Sequence, residues 1–411
     1  MKEDLDRLMQ VHQLDAIVVS GPVHNNPALY YLTQGAGLMN AHVIKKRGEA
    51  AILIANPLER EEALKSGLQV VVNSHYDYQG LFQKYAGDRL ATAIAYLQRI
   101  FAEQQIIGRV GFYGLREQGA AYTFLSALDK ALPEIEVVGE FERDLFQAAR
   151  ATKSEEEAQR IREVGRRTTE VVRETVAFLQ NHAVAADETL QQADGSVLAV
   201  GDVHAQIRRL IANQGLEDPA GFIFSTGRDA GIPHSKGTVA KPIRLGESIV
   251  FDIFPREPGG GYFFDMTRTF SLGYVPEPLA QIYQDTQDCL AEIIPQLAVG
   301  EETRHYQAMT CACYQKRGHP TIATERQTTE GYIHSLGHGV GLNLHELPFF
   351  SDTPTNVTQL QPGHVFTIEP GLYYPERGMG CRIEDVYWID AAGQVNKLTN
   401  YPYELVIPMK S

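Results

Sequence analysis

Four carboxylates in the second half of the chain sit where carboxylates are costly. Asp252 in "SIVFDIF", Asp265 in "YFFDMTRTF", Glu369 in "HVFTIEPGLYY" and Glu384 in "CRIEDVYWI" each stand inside an apolar, strand-like run. Strand side chains alternate faces, so Asp252 shares a face with Val250 and Ser248, Asp265 with Phe263 and Thr267, Glu369 with Thr367, and Glu384 with Arg382. If those faces converge, four like charges meet in a protected site, where two unit charges about 4 Å apart repel by roughly 4 kcal/mol at an effective dielectric of about 20. One arginine cannot neutralise four acids, whereas two divalent cations supply four positive charges against them. The chemistry this implies is that of an oxygen-rich two-metal centre.

A nitrogen donor is at hand in "HSLGHGVGLNLHE", residues 334 to 346, which holds His334, His338 and His345. A histidine beside apolar residues is more often packed and hydrogen-bonded than a ligand, so none of the three carries a role by itself. Oxygen ligands with one imidazole suit manganese, cobalt, iron or zinc. Other chemistries have no support. No G-x-S-x-G occurs, no cysteine sits in a nucleophile motif, and no phosphate-cradling glycine signature follows a strand.

The elements that must position these residues are legible in outline. "ATKSEEEAQRIREVGRRTTEVVRETVAFLQ" opens a long helix, with Ser154 and Glu157 as a capping box and acidic residues in its first turn. "DVHAQIRRLIANQ" reads as a second helix, followed by strand-rich sequence to residue 275. The helix, helix, strands order returns with "PLAQIYQDTQDCLAEIIPQL", "RHYQAMTCACYQKRG" and the strands after residue 363, an order compatible with a duplicated αβ half. The first 150 residues differ. Strand-like "DAIVVS", "EAAILIAN", "GRVGFYG" and "IEVVGE" alternate with helical "LATAIAYLQRIFAEQQ" and "EQGAAYTFLSALDKAL", which predicts an α/β domain. The expected division is 1–150 and 151–411.

Composition bounds the rest. At 411 residues the chain exceeds one ordinary core of about 150 residues. It is 44% hydrophobic and 21% charged, and no stretch approaches the roughly 20 apolar residues of a membrane span. The start "MKEDLDRLMQVHQLDA" lacks the apolar core of a signal peptide, which predicts a cytoplasmic protein. In that compartment the four cysteines stay reduced, and the "NVT" sequon at Asn356 carries no meaning. Cys311 and Cys313 are two apart on an expected helix, where side chains point to different faces. The net charge of 37 minus 51, or -14, opposes phosphate-driven binding, so nucleic acid is excluded as a partner.

The order Asp252, Asp265, His338, Glu369, Glu384 within "FDIFPREPGGGYFFDMTRTF", "HSLGHGVGLNLHE", "TIEPGLYY" and "RIEDVYWI" resembles the pita-bread metallopeptidases: Xaa-Pro aminopeptidases, prolidases and methionine aminopeptidases. "LDRLMQVHQLDAIVVSGPVHNNPALYYLTQG" resembles the creatinase-type amino-terminal domain of the proline-specific branch. The resemblance implies an α/β amino-terminal domain before an α+β pita-bread catalytic domain. It implies hydrolysis of the bond between an amino-terminal residue and proline in a peptide or dipeptide, by a homodimer holding two divalent ions, manganese foremost. In that scheme Asp252 binds one metal, His338 and Glu369 the other, and Asp265 and Glu384 bridge both. Glu369 also shuttles a proton, His345 stands by the scissile carbonyl, and His334 and His234 line the substrate side. Arg382 and Thr267 orient the ligands. The family spaces the two aspartates 11 apart; here 265 minus 252 is 13, and an insertion of two keeps strand parity. A non-peptidase hydrolase or lyase on a small molecule, and a non-catalytic binding protein, are the rival readings.

Overall fold

In the computed structural model, which describes residues 4–410, the chain forms two compact units. One comprises Met1–Arg150 with Gly259–Gly261, the other Ala151–Pro258 with Tyr262–Ser411. A contiguous division does not anticipate the grouping of Gly259–Gly261, the tip of the lengthened "PREPGGG" turn.

The first unit is built on a six-stranded mixed sheet of order β4-β3-β2-β1-β5-β6. Its strands are β1 (Ala16–Gly21), β2 (Ala41–Lys46), β3 (Ile52–Ala55), β4 (Gln69–Val72), β5 (Gly108–Gly114) and β6 (Ile135–Val138). β1, β5 and β6 run parallel, as do β3 and β4, while β2 lies antiparallel between β1 and β3. The predicted strands are β1, β3, β5 and β6, and the predicted helices are Arg89–Gln104 and Gln118–Ala131. β2 and β4 escape the apolar pattern because β2 carries His42, Lys45 and Lys46 and β4 is a four-residue edge strand. Val18, Ile44, Ile54 and Val110 pack against Leu97, Ile100 and Phe101 of the helix, and each such buried side chain contributes roughly 1.5–3 kcal/mol.

The second unit opens with helix Glu155–Gln180. Its capping box forms as expected: the Glu157 N–H donates to Ser154 Oγ (3.3 Å) and the Ser154 N–H to Glu157 Oε2 (2.8 Å). A short hairpin, β7 (Ala183–Val184) and β8 (Leu190–Gln191), and helix Val200–Asn213 follow. Next come β9 (Phe222–Thr226), β10 (Ile249–Ile253) and β11 (Met266–Leu272). Helices Glu277–Ile293 and Thr303–Lys316 then precede β12 (His338–Gly339), β13 (Glu346–Phe349), β14 (Val365–Ile368), β15 (Gly371–Tyr374), β16 (Met379–Arg382), β17 (Asp385–Ile389), β18 (Val395–Lys397) and β19 (Val406–Ile407). One sheet has the order β19-β11-β10-β9, another β13-β12-β14-β17-β18, and β15 pairs with β16 alone. The helix, helix, antiparallel strands order thus occurs twice.

Two predicted strands are broken in the structure. "HVFTIEPGLYY" divides at Glu369–Pro370 into β14 and β15, because proline has no N–H for a ladder. "CRIEDVYWI" divides at Ile383–Glu384 into β16 and β17, which belong to different sheets. Of the four acids only Asp252 lies inside a strand. Asp265 immediately precedes β11, Glu369 immediately follows β14, and Glu384, in the break between β16 and β17, makes an isolated bridge to Thr267. The acids therefore sit at strand ends, where the sheets are interrupted and side chains can converge.

Candidate metal centre

β10 and β11 pair antiparallel with Asp252 opposite Thr267, and the lengthened turn between them leaves both aspartates buried, Asp252 at 8% and Asp265 at 4% exposure. Glu384 is also buried, and Glu369 keeps the most solvent contact of the four carboxylates, with 16% of its side chain exposed. His338 opens β12 at the centre of the glycine-rich segment. Glycine is required there: a Cβ on Gly337 would lie 2.0 Å from the Thr367 carbonyl oxygen. That close approach lets the His338 N–H donate to Thr367 Oγ1 at 3.1 Å.

The imidazole orientation follows. His338 Nδ1 lies 3.1 Å from the Gly339 carbonyl, so it carries the proton and donates. The Nε2 lone pair then faces Asp265 Oδ2 and Glu369 Oε1, each 3.6 Å away. Burial, then the neighbouring His345, pushes the His338 pKa down to about 3, so the ring is neutral and able to ligate.

The only cation hydrogen-bonded to the carboxylate cluster among the described residues is Arg382. Its Nη2 donates to Asp252 Oδ2 at 2.5 Å, its Nε to Thr267 Oγ1 at 3.1 Å, and its Nη1 to Tyr373 Oη at 2.8 Å. Thr267 passes the bond on, donating to Glu384 Oε2 at 2.7 Å. Arg382 and Thr267 thus fix two of the acids, as second neighbours do in metal sites.

One guanidinium does not balance four carboxyls. Burial and then Glu384 hold Asp265 and Glu369 well above the usual carboxylate range, and burial with Asp252 pushes Glu384 up to about 8. Asp252 Oδ1 and Asp265 Oδ1 are buried without a hydrogen-bond partner, although buried polar atoms almost always find one. Asp265, His338 and Glu384 each present a ligand atom within 4.8 Å of the others. Orphaned oxygens, a neutral imidazole and mutually repelling acids fit a divalent cation in both chemistry and placement.

The remaining histidines lie around this cluster. The exposed His345 ring stands edge-on to His338, with centroids 4.1 Å apart. His334 bonds the Ser335 carbonyl through Nδ1 (2.7 Å) and Tyr373 Oη through Nε2 (2.9 Å), which links it to Arg382. His234 is exposed and close enough to His334 and His345 to act on both electrostatically. Sequence reading missed Tyr373, the hinge of that link. Nothing in "GLYY" distinguishes it from its neighbour, since its partners lie 9 and 39 positions away.

With this geometry in place, a profile of metallopeptidase family M24 matches residues 159–391, more than half of the chain. The chain belongs to metallopeptidase family M24. Over 412 residues this M24 chain is 26% identical to the Xaa-Pro dipeptidase of Pyrococcus furiosus, covering 99% of this chain and 100% of that one. It is 32% identical over 206 residues to the probable dipeptidase PepE of Mycobacterium tuberculosis, 50% of this chain and 51% of the relative. The chain thus spans about half the length of that relative. Among solved structures, the Xaa-Pro dipeptidase of Bacillus anthracis superposes with a TM-score of 0.74 at 23% identity, over 98% of this chain and 99% of that one. The X-Pro aminopeptidase of Thermotoga maritima gives 0.73 at 20% identity, over 97% and 99%. Those two likenesses are of fold, an α/β amino-terminal unit followed by a pita-bread M24 unit. No helix of the described residues is long and apolar enough to cross a membrane.

Proposed function

We propose that the chain is a dinuclear metal-dependent peptidase that cleaves the bond between an amino-terminal residue and proline, in an Xaa-Pro dipeptide or at the start of a longer peptide. The observation that carries this reading is the pair of orphaned aspartate oxygens inside a cluster of four carboxyls and one neutral imidazole. The full-length relative named an Xaa-Pro dipeptidase supports the substrate class.

Asp252, Asp265, His338, Glu369 and Glu384 would hold the ions, with Asp265, His338 and Glu384 presenting ligand atoms within 4.8 Å of one another. Divalent ions there supply Lewis acidity and a water of lowered pKa. Glu369, the carboxylate with the most solvent contact, would carry a proton to the leaving proline nitrogen. His345, exposed at the rim, donates to the carbonyl oxygen as charge develops on it. His334 and His234 border the substrate, and Arg382 with Thr267 keeps Asp252 and Glu384 in place. The finer terms are manganese as the metal, suited to an oxygen-rich donor set; a cytoplasmic location, supported by four free, buried cysteines; and a homodimer, supported by the family resemblance.

The test is an assay of purified protein with added manganese against an Xaa-Pro dipeptide, an Xaa-Pro-Xaa tripeptide and a dipeptide without proline. Cleavage confined to the proline substrates is expected, and the ratio of the two separates dipeptidase from aminopeptidase. Equal cleavage of the third substrate, or cleavage of none, would remove the proline-specific reading.

A further inference from the structure

The first unit carries a cavity of about 590 Å³ whose lining residues all fall between Ser20 and Leu125. Pockets that hold small molecules span about 300–1,000 Å³. Its place in the sheet is informative. Ser20 and Gly21 end β1, Ile54 and Ala55 end β3, Tyr113 and Gly114 end β5, and Asn73 follows β4. Antiparallel β2 enters the same end with Asn40 and His42. Open α/β sheets take their ligands in the crevice outside the carboxyl ends of the parallel strands. Gly114 keeps the strand ends together there: its φ is +122°, and a Cβ would lie 2.0 Å from the Ser20 carbonyl oxygen.

The lining has a definite chemistry. Tyr78 and Tyr96 meet edge to face with centroids 5.4 Å apart, and Phe112 and Phe124 add flat apolar surface. Arg116 is the single charged residue of the lining, and no carboxylate lines the cavity with it. Its guanidinium lies 4.5 Å over the Phe124 ring and makes no ion pair among the described residues. His42 Nδ1 lies 2.8 Å from Ser20 Oγ, and burial and then Arg116 push this histidine down to about pKa 4, so it is a neutral hydrogen-bonding group. Stacking surface, a neutral polar pair and one unopposed positive charge describe the complement of a ligand.

We propose that this crevice binds a small molecule carrying a flat ring and one anionic group, the ring against Tyr78 and Tyr96 and the anion on Arg116. Nothing in the M24 reaction requires such a site, and the carboxylate cluster lies wholly in the other unit.

Calorimetric titration of the full, metal-loaded chain tests it. The probes are adenosine monophosphate and indole acetate, which present the anion as phosphate or carboxylate, with adenosine and indole ethanol as uncharged counterparts. Saturable binding of at least one anionic probe is expected, and which one binds identifies the anion. Arg116→Gln should weaken it about ten- to hundredfold, the worth of a charge-assisted hydrogen bond, without altering the uncharged counterpart. Ala121→Trp, which fills the cavity from its wall, should abolish both. Hydrolysis of the Xaa-Pro substrate should be unchanged in the two variants. Absence of saturable binding by either anionic probe, or binding that ignores both substitutions, overturns the proposal.

Discussion

Arg268 and Asp385 lie one residue along the chain from Thr267 and Glu384, and the two pairs treat buried charge in opposite ways. Arg268 places all five guanidinium N–H groups: on Asp385 Oδ1 (2.8 Å) and on the carbonyls of Thr267 (2.9 Å), Glu384 (2.8 Å), Tyr401 (2.9 Å) and Pro402 (3.0 Å). Asp385 also accepts from Tyr403 Oη and takes Lys397 Nζ at 2.7 Å. Every group is answered although the two side chains are only 1% and 0% exposed. One position away, Glu384 points into a cluster where two aspartate oxygens have no partner and carboxyls repel one another. The alternation of strand faces puts a satisfied ion pair behind and an unsatisfied donor set in front. The chain has the means to neutralise buried charge, so the deficit at the front is a property of the site rather than of the fold.

Substitutions should separate the two faces, and the largest effect is on turnover. Glu369→Gln keeps the side-chain volume and removes the proposed proton carrier and metal ligand, so hydrolysis of an Xaa-Pro dipeptide should fall by at least about 10²–10⁴-fold while the melting temperature in chelator stays near that of the parent or above it. Hydrolysis close to the parent rate would take Glu369 out of the reaction. Next come opposite effects on stability in chelator. Asp385→Asn breaks a buried pair and should cost about 3–5 kcal/mol in urea denaturation, whereas Asp265→Asn removes one of several repelling charges and should leave the metal-free protein as stable or more so. Equal losses in both would erase the distinction between the faces.

The pH response sharpens it further. Glu384 titrates near 8 in the metal-free fold against an ordinary value of 4.5, so between those values the folded chain binds a proton that the unfolded chain does not. Stability must then fall as pH rises across that window. His334, His338 and His364, each lowered to about 3 from 6.5, and His42, lowered to about 4, act in the opposite sense but only up to 6.5. The clean interval is therefore pH 6.5 to 8, where melting in chelator should drop with rising pH. Saturating divalent ions, which take the deprotonated carboxylates, should stabilise more at each step upward. Melting in chelator that rises across that interval would contradict the raised carboxyls.

How much of this was open to sequence reading follows from what each feature depends on. The four carboxylates of the proposed ligand set stood out because a carboxylate within an apolar run is costly wherever it occurs, a property of the local stretch, whereas His338 was singled out among the histidines of its segment only by the family resemblance. The amphipathic helices and the capping box of Ser154 and Glu157 are local in the same sense. The strand breaks at Glu369–Pro370 and Ile383–Glu384 were not seen, although Pro370 is a signal against a continuous strand, because the apolar residues run on across both breaks. Arg382 with Asp252 and Arg268 with Asp385 join residues 130 and 117 positions apart, and no spacing rule reaches that far. The cavity of the first unit was invisible for a related reason. It depends on β2, a strand whose charged residues hide it, lying between β1 and β3.

Tyr373 gives the smallest and most discriminating effect. Its hydroxyl accepts from Arg382 Nη1 and lies 2.9 Å from His334 Nε2, so it ties His334, proposed to border the substrate, to the arginine that holds Asp252. Tyr373→Phe keeps the ring and deletes both bonds. Arg382 retains Asp252, Thr267 and the Pro233 carbonyl, so the fold should survive with a loss of about 1 kcal/mol. If the hydroxyl serves only packing, manganese affinity and kcat/KM will not move. If it positions the site, both should fall together by up to about tenfold, and adding His334→Ala should cost little more, because the two substitutions cut the same link. Fully additive losses would show that His334 and Arg382 act on the centre separately, and that the second neighbours of the cluster form two groups rather than one.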